Sequence, residues 1–245
     1  MEIYYKNESK KIVGFKEWEK MYKSHDSRHW EKGRSAYSLA KWICERDGEK
    51  EIENIVNGIL VNDRIDCFEK GVIEDENNFD NRRNGRKQDL AISGKTKNGK
   101  KLFIAIEAKV DEEFNDTIET AYAKAKAYKK NHPSSQQEER IKDLCEKIYH
   151  SEPENVNNLR YQLFYYVAGS IAKDSDVCIM LVLVFKTELA NDNKLKRNKS
   201  DFENFMGKFK QISTGVYDLS ELREDGKVAF AVYKEVDLYD DSSHK

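Results

Sequence analysis

Asp89, Glu107 and Lys109 are the residues whose types and spacing point most directly to chemistry. Asp89 sits in Gln88-Asp89-Leu90-Ala91-Ile92, and the other two sit in Phe103-Ile104-Ala105-Ile106-Glu107-Ala108-Lys109-Val110. The segment Gly94 to Lys101 lies between them and contains Asn98-Gly99, a strong hairpin signal. A register that sets Leu90 against Ile106 and Ile92 against Ile104 packs apolar on apolar. The same register sets Asp89 against Glu107, on the face that Lys109 shares two residues later. A two-residue Asn-Gly loop would break this match, so the spacing predicts a three-residue loop or a bulge. The hydrophobic pattern should decide the register, because one slip moves every side chain to the other face.

Two carboxylates brought together repel unless a proton or a cation intervenes. Mg²⁺ is the simplest neutraliser, with Mn²⁺ as a substitute, because a hard cation takes one or two carboxylates plus waters and phosphate oxygens. Such an ion acidifies water and shields phosphate charge, and a neighbouring lysine can stabilise developing negative charge. Neither Glu107 nor Lys109 belongs to the apolar face of the hairpin, so the fold is expected to tolerate alanine at both.

The elements that must position this hairpin are legible from periodicity. Helices are expected over 35–46, with Ser35 as cap, and over 50–61, 117–130, 136–149, 157–172 and 200–211. Strands are expected near 67–74, 88–93, 101–110 and 227–237. Val177 to Phe185 is an apolar run rich in β-branched residues and predicts a strand buried on both faces. The order predicts an α/β fold, a mixed sheet covered by helices. Its 245 residues form a single domain, 1–245, with a core at about 30–186 and a closing helix and strand at 200–237.

Composition bounds the function. Lys+Arg is 43 against 45 for Asp+Glu, a net charge of -2, which argues against a bulk electrostatic binder of nucleic acid but leaves room for a local basic cleft. Lys124, Lys126, Lys129 and Lys130 either contact phosphates by charge or form an exposed helix face. Cys44, Cys67, Cys145 and Cys178 form no CxxC pair, so neither a zinc site nor a disulfide framework is expected. His25 and His29 are expected in a loop through Ser24, Asp26 and Ser27. With Trp30 and Trp42 they are assigned structural roles. The tail at Asp240, Asp241, Ser242 and Ser243 is expected to fray. No run of 18 apolar residues occurs, and the start MEIYYKNESK has no apolar signal region, so a cytoplasmic chain without membrane partners is expected.

Asp89 followed by Glu107-Ala108-Lys109 on a hairpin resembles the core of the PD-(D/E)xK nuclease superfamily, with Gln88 where the family name has proline. The string Ile106-Glu107-Ala108-Lys109-Val110-Asp111-Glu112-Glu113-Phe114 is similar to a bacterial restriction-endonuclease-like subset. Trp30-Glu31-Lys32-Gly33-Arg34-Ser35-Ala36-Tyr37-Ser38-Leu39-Ala40 fits the same subset, as do Arg160-Tyr161-Gln162-Leu163 and Val167-Ala168-Gly169. The resemblance implies a restriction-endonuclease-like mixed β-sheet flanked by helices. Asp89 and Glu107 would be metal ligands, with the Ala108 carbonyl as another, and Lys109 would be the catalytic lysine. Gln162 and Tyr166, four apart on a helix, are similar to the QxxxY signature of the exonuclease branch and would orient Lys109 or a phosphate. Relatives add a glutamate from the first helix, for which Glu31, Glu45, Glu49 and Glu53 stand as candidates.

The E-x-K string alone is weak, since Glu8-Ser9-Lys10 matches it as well. Two functions follow from these readings. One is a Mg²⁺-dependent endonuclease or phosphodiesterase acting on DNA in restriction or phage defence, with RNA and a homodimer left open. The other is a non-catalytic module that uses the same fold to bind nucleic acid or a protein.

Overall fold

The computed structural model describes residues 1–6, 10–26, 30–82, 84–224 and 226–239, the side chains of 25 and 26 excepted. Its centre is the run expected to be buried on both faces, β6 (Val177–Lys186), in which every residue from Val177 to Phe185 is buried. On one side β6 pairs in parallel with β5 (Lys101–Lys109), and on the other with β9 (Val228–Asp237). Beyond β5 follow β4 (Arg86–Thr96), β3 (Ile65–Asn77), β1 (Glu2–Tyr5) and β2 (Lys11–Ile12). Beyond β9 follow β8 (Val216–Asp218) and β7 (Lys210–Ser213).

Among the described residues this gives a nine-stranded mixed sheet flanked by seven helices. Leu90, Ile92, Ile104 and Ile106 belong to one core, with side chains from α1 (Phe15–Asp26), α2 (Ser35–Glu45) and α3 (Gly48–Ile59). Ala91, Phe103 and Ala105 belong to the other, with α4 (Ile118–Asn131), α5 (Gln137–Tyr149), α6 (Tyr161–Ile171) and α7 (Asp192–Met206). Two cores on one sheet explain why β5 and β6 are apolar at nearly every position rather than at alternate ones.

The β4–β5 hairpin has the expected register, with Leu90 opposite Ile106, Ile92 opposite Ile104 and Lys95 opposite Lys101. Thr96 N–H donates to the Lys100 carbonyl (3.0 Å), and Gly99 N–H donates to the Thr96 carbonyl (2.9 Å). Lys97, Asn98 and Gly99 therefore form a three-residue loop, and Gly99 takes its left-handed position at φ +78.

Several boundaries differ from expectation for local reasons. Ser35 is the first helical residue and Arg34 the cap. The Ser35 hydroxyl donates to Glu112 (3.0 Å) instead of capping. The helix expected from 157 begins at Tyr161, because Arg160 is extended and Thr117 bridges it. The helix expected over 200–211 runs over Asp192–Met206, started by the Asn191 side chain, which accepts from Asn193 and Lys194 N–H. Residues 210 and 211 are strand. Ser24, His25 and Asp26 close α1 rather than forming a loop. Trp30 and Trp42 are buried. Ser27, His29, the Glu8-Ser9 pair and the tail from Asp240 to Ser243 lie outside the described residues.

No helix among the described residues is long and apolar enough to cross a membrane. The four cysteines are free.

Gly169 on α6 lies against β4 so closely that a Cβ there would stand 2.6 Å from Arg86 Cβ and 2.7 Å from its Cγ. Overpacking at such a contact costs about 1–3 kcal/mol. Gly169→Ala is expected to lower the unfolding free energy by that amount, read as a lower urea midpoint at unchanged slope, and an unchanged midpoint would show that α6 does not press on β4.

Candidate active site

The site forms where β4 and β5 part. The ladder runs as far as Leu90 opposite Ile106. On the other side of β4, Ile73 pairs with Leu90 and Asp75 with Gln88, while Glu74 between them takes φ +55. Asp89 is thus released from regular pairing. Its Oδ2 accepts from Ala108 N–H (2.7 Å), so a carboxylate sits where a backbone carbonyl would otherwise pair. Asp89 and Glu107 are close but are not a ladder pair, which corrects the direct opposition expected from the register. Within a strand, N–H and C=O of one residue point to the same side, so the Ala108 carbonyl also faces Asp89.

Glu107 is 7% exposed and is held on both oxygens. Arg86 donates to Oε2, Tyr166 donates its phenolic O–H to Oε1, and Lys109 Nζ lies 3.0 Å from the same Oε1. The Arg86 guanidinium also stacks over the Tyr166 ring, 3.9 Å from its centroid. Gln88, with its amide nitrogen donating to the Arg86 and Asp75 carbonyls (3.1 and 2.6 Å), fixes the start of β4.

Burial works to raise the Glu107 pKa, but Arg86 and Lys109 with the Tyr166 and Lys109 hydrogen bonds outweigh it and hold the carboxyl below its ordinary value. Asp89 goes the other way. Desolvation, then the charge of Glu107, pushes it up to about 8 against the weaker pull of Arg86, the Ala108 N–H and Lys109. The Tyr166 phenol is raised by burial and by Glu107, so it remains a donor. Two carboxyls in one site with pKa values driven apart form an acid–base pair.

Asp89 and Glu107 are the carboxyls a hard divalent cation would use here. Asp89 is costly to ionise because it is desolvated and lies beside Glu107, and Mg²⁺ commonly uses only one or two carboxylates, with water and substrate oxygens completing its shell. Among the described residues no group of three or more His, Cys, Asp or Glu side chains could hold a metal. The helical glutamates expected as a third ligand are engaged elsewhere. Glu31 pairs with Arg34 (3.4 Å), Glu49 with the N-terminal amine (2.7 Å) and Glu53 with Lys50 (3.3 Å), while Glu45 is exposed. Glu74 is the nearer acid. Burial raises its pKa, Lys87 and Lys6 oppose the rise, and Glu107 adds to it.

Beside these groups opens a cleft of about 940 Å³, lined in part by Arg86, Tyr161, Gln162, Tyr165 and Tyr166. Gln162 faces this cleft, and its Oε1 is buried without a hydrogen-bond partner. Tyr166 is buried, donates to Glu107 and also lines the cleft. Lys124 pairs with Asp116 (2.7 Å), and Lys126 pairs with Glu154 (3.9 Å) over the Tyr122 ring. Neither lines the cleft. Arg86 carries no motif and was missed by spacing. Only its place two residues before Gln88 on β4 hints at it.

The burial of Glu107 argues against the tolerance of alanine expected there. Without this carboxylate, Arg86 and Lys109 would lose their shared buried partner, and breaking such a pair costs roughly 3–5 kcal/mol.

The chain belongs to the family described as a domain of unknown function (DUF6946), whose model matches residues 11–236. No curated protein and no solved structure matches the chain.

Asp89 makes stability depend on pH in cation-free buffer. The unfolded chain releases the Asp89 proton near 3.8, while the folded chain keeps it to about 8. The contribution of the protonated group is complete at low pH, declines as pH rises between those values, and is gone above about 8. Relative to Asp89→Asn, the parent is expected to lose denaturation midpoint from pH 5 to pH 8. A gap that stays constant across that range would refute the assignment.

Proposed function

We propose that this protein is a divalent-metal-dependent nuclease of the PD-(D/E)xK kind that hydrolyses phosphodiester bonds in DNA. The observation that supports this most is the meeting of Asp89, Glu107 and Lys109 at the parting of β4 and β5, next to a polar cleft. The setting this suggests is cytoplasmic restriction or phage defence.

Asp89 and Glu107 would hold the cation, with the Ala108 carbonyl beside them. When bound, the cation neutralises phosphate charge and makes water more acidic. Lys109 lies against Glu107 Oε1 and is placed to stabilise charge developing on the phosphate. Tyr166 keeps Glu107 in one orientation by donating to it. Arg86 stacks on that phenol ring and presents a guanidinium to the cleft, suited to a non-bridging phosphate oxygen. Asp89 must lose its proton for the site to take a cation at neutral pH, so cation affinity should rise with pH towards about 8.

A specific observation favours the second function, a non-catalytic binding module. Both Glu107 oxygens are already engaged by Arg86, Tyr166 and Lys109, so the cluster is satisfied without a cation.

The two are separated by incubating the protein with plasmid, linear and single-stranded DNA, with and without Mg²⁺ or Mn²⁺. Glu107→Gln keeps the shape and is expected to lose cleavage together with calorimetric Mg²⁺ binding. Lys109→Ala leaves Arg86 on Glu107 and is expected to keep Mg²⁺ binding, since its ammonium repels the cation, while turnover falls on the order of 10²–10³-fold. If both variants cleave as fast as the parent, the nuclease proposal fails. A parent inert with every substrate and metal that still binds DNA tightly is the binding module.

A further inference from the structure

The cleft beside the carboxylates is built differently from a phosphate track. Amide side chains dominate its wall, among them Asn81, Gln136, Gln137 and Gln162, together with the phenols of Tyr161 and Tyr165. Among the described residues no carboxylate lines it. The two arginines furthest from the site already have acidic partners. Arg140 donates to both oxygens of Asp80 (2.8 Å each), and Arg82 donates to Asp143 (2.6 Å). Their charge is therefore largely spent on holding the wall together, and apart from Arg86 at the site end the cleft's remaining chemistry is neutral and two-sided in hydrogen bonding.

Two features narrow the occupant, whose hydrogen-bonding partners would be the amide groups along the wall, Gln162 among them. Tyr161 and Tyr165 both line the cleft, with ring centroids 6.2 Å apart and tilted by 46°, too close for a ring to pass between them. Tyr165 is fixed in place because its hydroxyl donates to the Asn84 and Gly85 carbonyls (2.9 Å each) and its ring packs edge-on against Phe79 (4.8 Å). A planar heterocycle with N–H donors and ring acceptors matches these rings and the amides of the wall, and the nucleobases are such heterocycles. In a duplex the Watson–Crick edge is covered and the faces are stacked, so only an unpaired base can enter.

Resting on the proposal that Asp89, Glu107 and Lys109 cleave nucleic acid, we infer that the cleft lined by Tyr161, Gln162 and Tyr165 takes an unpaired nucleobase next to the cleaved phosphate. The substrate class is then single-stranded nucleic acid, or a strand with a splayed end or flipped base, with Arg86 at the boundary between base and phosphate.

Binding in EDTA, where cleavage is suppressed, separates this inference from the nuclease proposal. The probes are fluorescently labelled oligonucleotides of one length: single-stranded DNA, single-stranded RNA of the same sequence, the corresponding duplex, and a single strand whose central bases are abasic. Single strands are expected to bind tighter than the duplex. The abasic strand, with every phosphate retained, is expected to lose on the order of 10- to 100-fold per occupied base position. A 2-aminopurine reporter in the strand should be quenched by stacking. Tyr161→Leu and Gln162→Ala should each weaken the base-containing strand and leave the abasic strand unchanged, and the DNA and RNA arms show which sugar is taken. Equal binding of abasic and base-containing strands by the parent overturns the inference whatever the variants do, as does duplex binding as tight as single-stranded. Base-dependent binding without cleavage in Mg²⁺ or Mn²⁺ keeps the cleft assignment and removes the nuclease. Cleavage without base dependence does the reverse.

Discussion

The interaction on which the rest of the site depends is the buried, ionised Glu107, gripped by Arg86, Lys109 and Tyr166. A lone carboxylate this deep would be driven to protonate. Two cations and a phenol hold it charged instead, and its charge in turn pushes Asp89 up towards 8. At neutral pH the cluster therefore sets two positive groups against one ionised carboxylate. It is locally positive in a chain whose net charge is -2. Bulk charge argued against a nucleic-acid binder of the electrostatic kind. On the proposed function, this is how a near-neutral protein would present a phosphate with a positive site, because Coulomb interactions in a partly desolvated cleft outweigh distant, screened surface charges.

Packing makes room for this cluster. On the face of the hairpin that meets α6, the sheet offers Ala91 and Ala105, small side chains that let the helix come close. Gly169 completes the approach by leaving space for the Arg86 stem. The opposite face carries Leu90, Ile92, Ile104 and Ile106, which fill the layer beneath α2 and α3. The hairpin is thus bulky on one face and small on the other, and the polar groups stand at the end where the small face opens. The acidic stretch after β5 serves the frame more than the chemistry. Asp111 pairs with Arg34 (2.7 Å), Ser35 donates to Glu112, and Glu113 pairs with Arg197 (3.1 Å), tying the end of β5 to α2 and α7.

What was legible in the sequence follows from which constraints are local. The hairpin register and its three-residue loop could be read because alternating apolar residues and Asn98-Gly99 fix them within some twenty positions. The double burial of β6 was equally plain from its unbroken apolar run. The strands β1, β2, β7 and β8 were not, being two to four residues long, too short for an alternating pattern to register. Arg86 was invisible for a related reason. Its partner Glu107 is on the next strand, and its stacking partner Tyr166 lies on a helix that follows two others. Gln162 and Tyr166 were found by their helical spacing, yet spacing could not say that they would part, one towards the carboxylate and the other towards the cleft.

The release of Asp89 from the ladder carries a further consequence. A regular hairpin continued one pair further would have set Asp89 opposite Glu107 and turned its carboxyl outward from the strand pair. Glu74 takes a left-handed φ beside that position while β3 and β4 keep their register on either side, and the Asp89 carboxylate takes over the Ala108 N–H. Left-handed backbone at a non-glycine residue is uncommon and costs free energy of about 1–3 kcal/mol. The cluster it helps to assemble adds a carboxyl that burial and Glu107 together make hard to ionise. Neither feature improves the apolar cores, which are complete on both sides of the hairpin without them. A module that only bound a partner would gain nothing from a carboxyl held unionised beside a buried charge. A site that exchanges a proton for a cation as substrate arrives would use both, and it is this asymmetry between cost and structural need that weighs towards catalysis in the proposal.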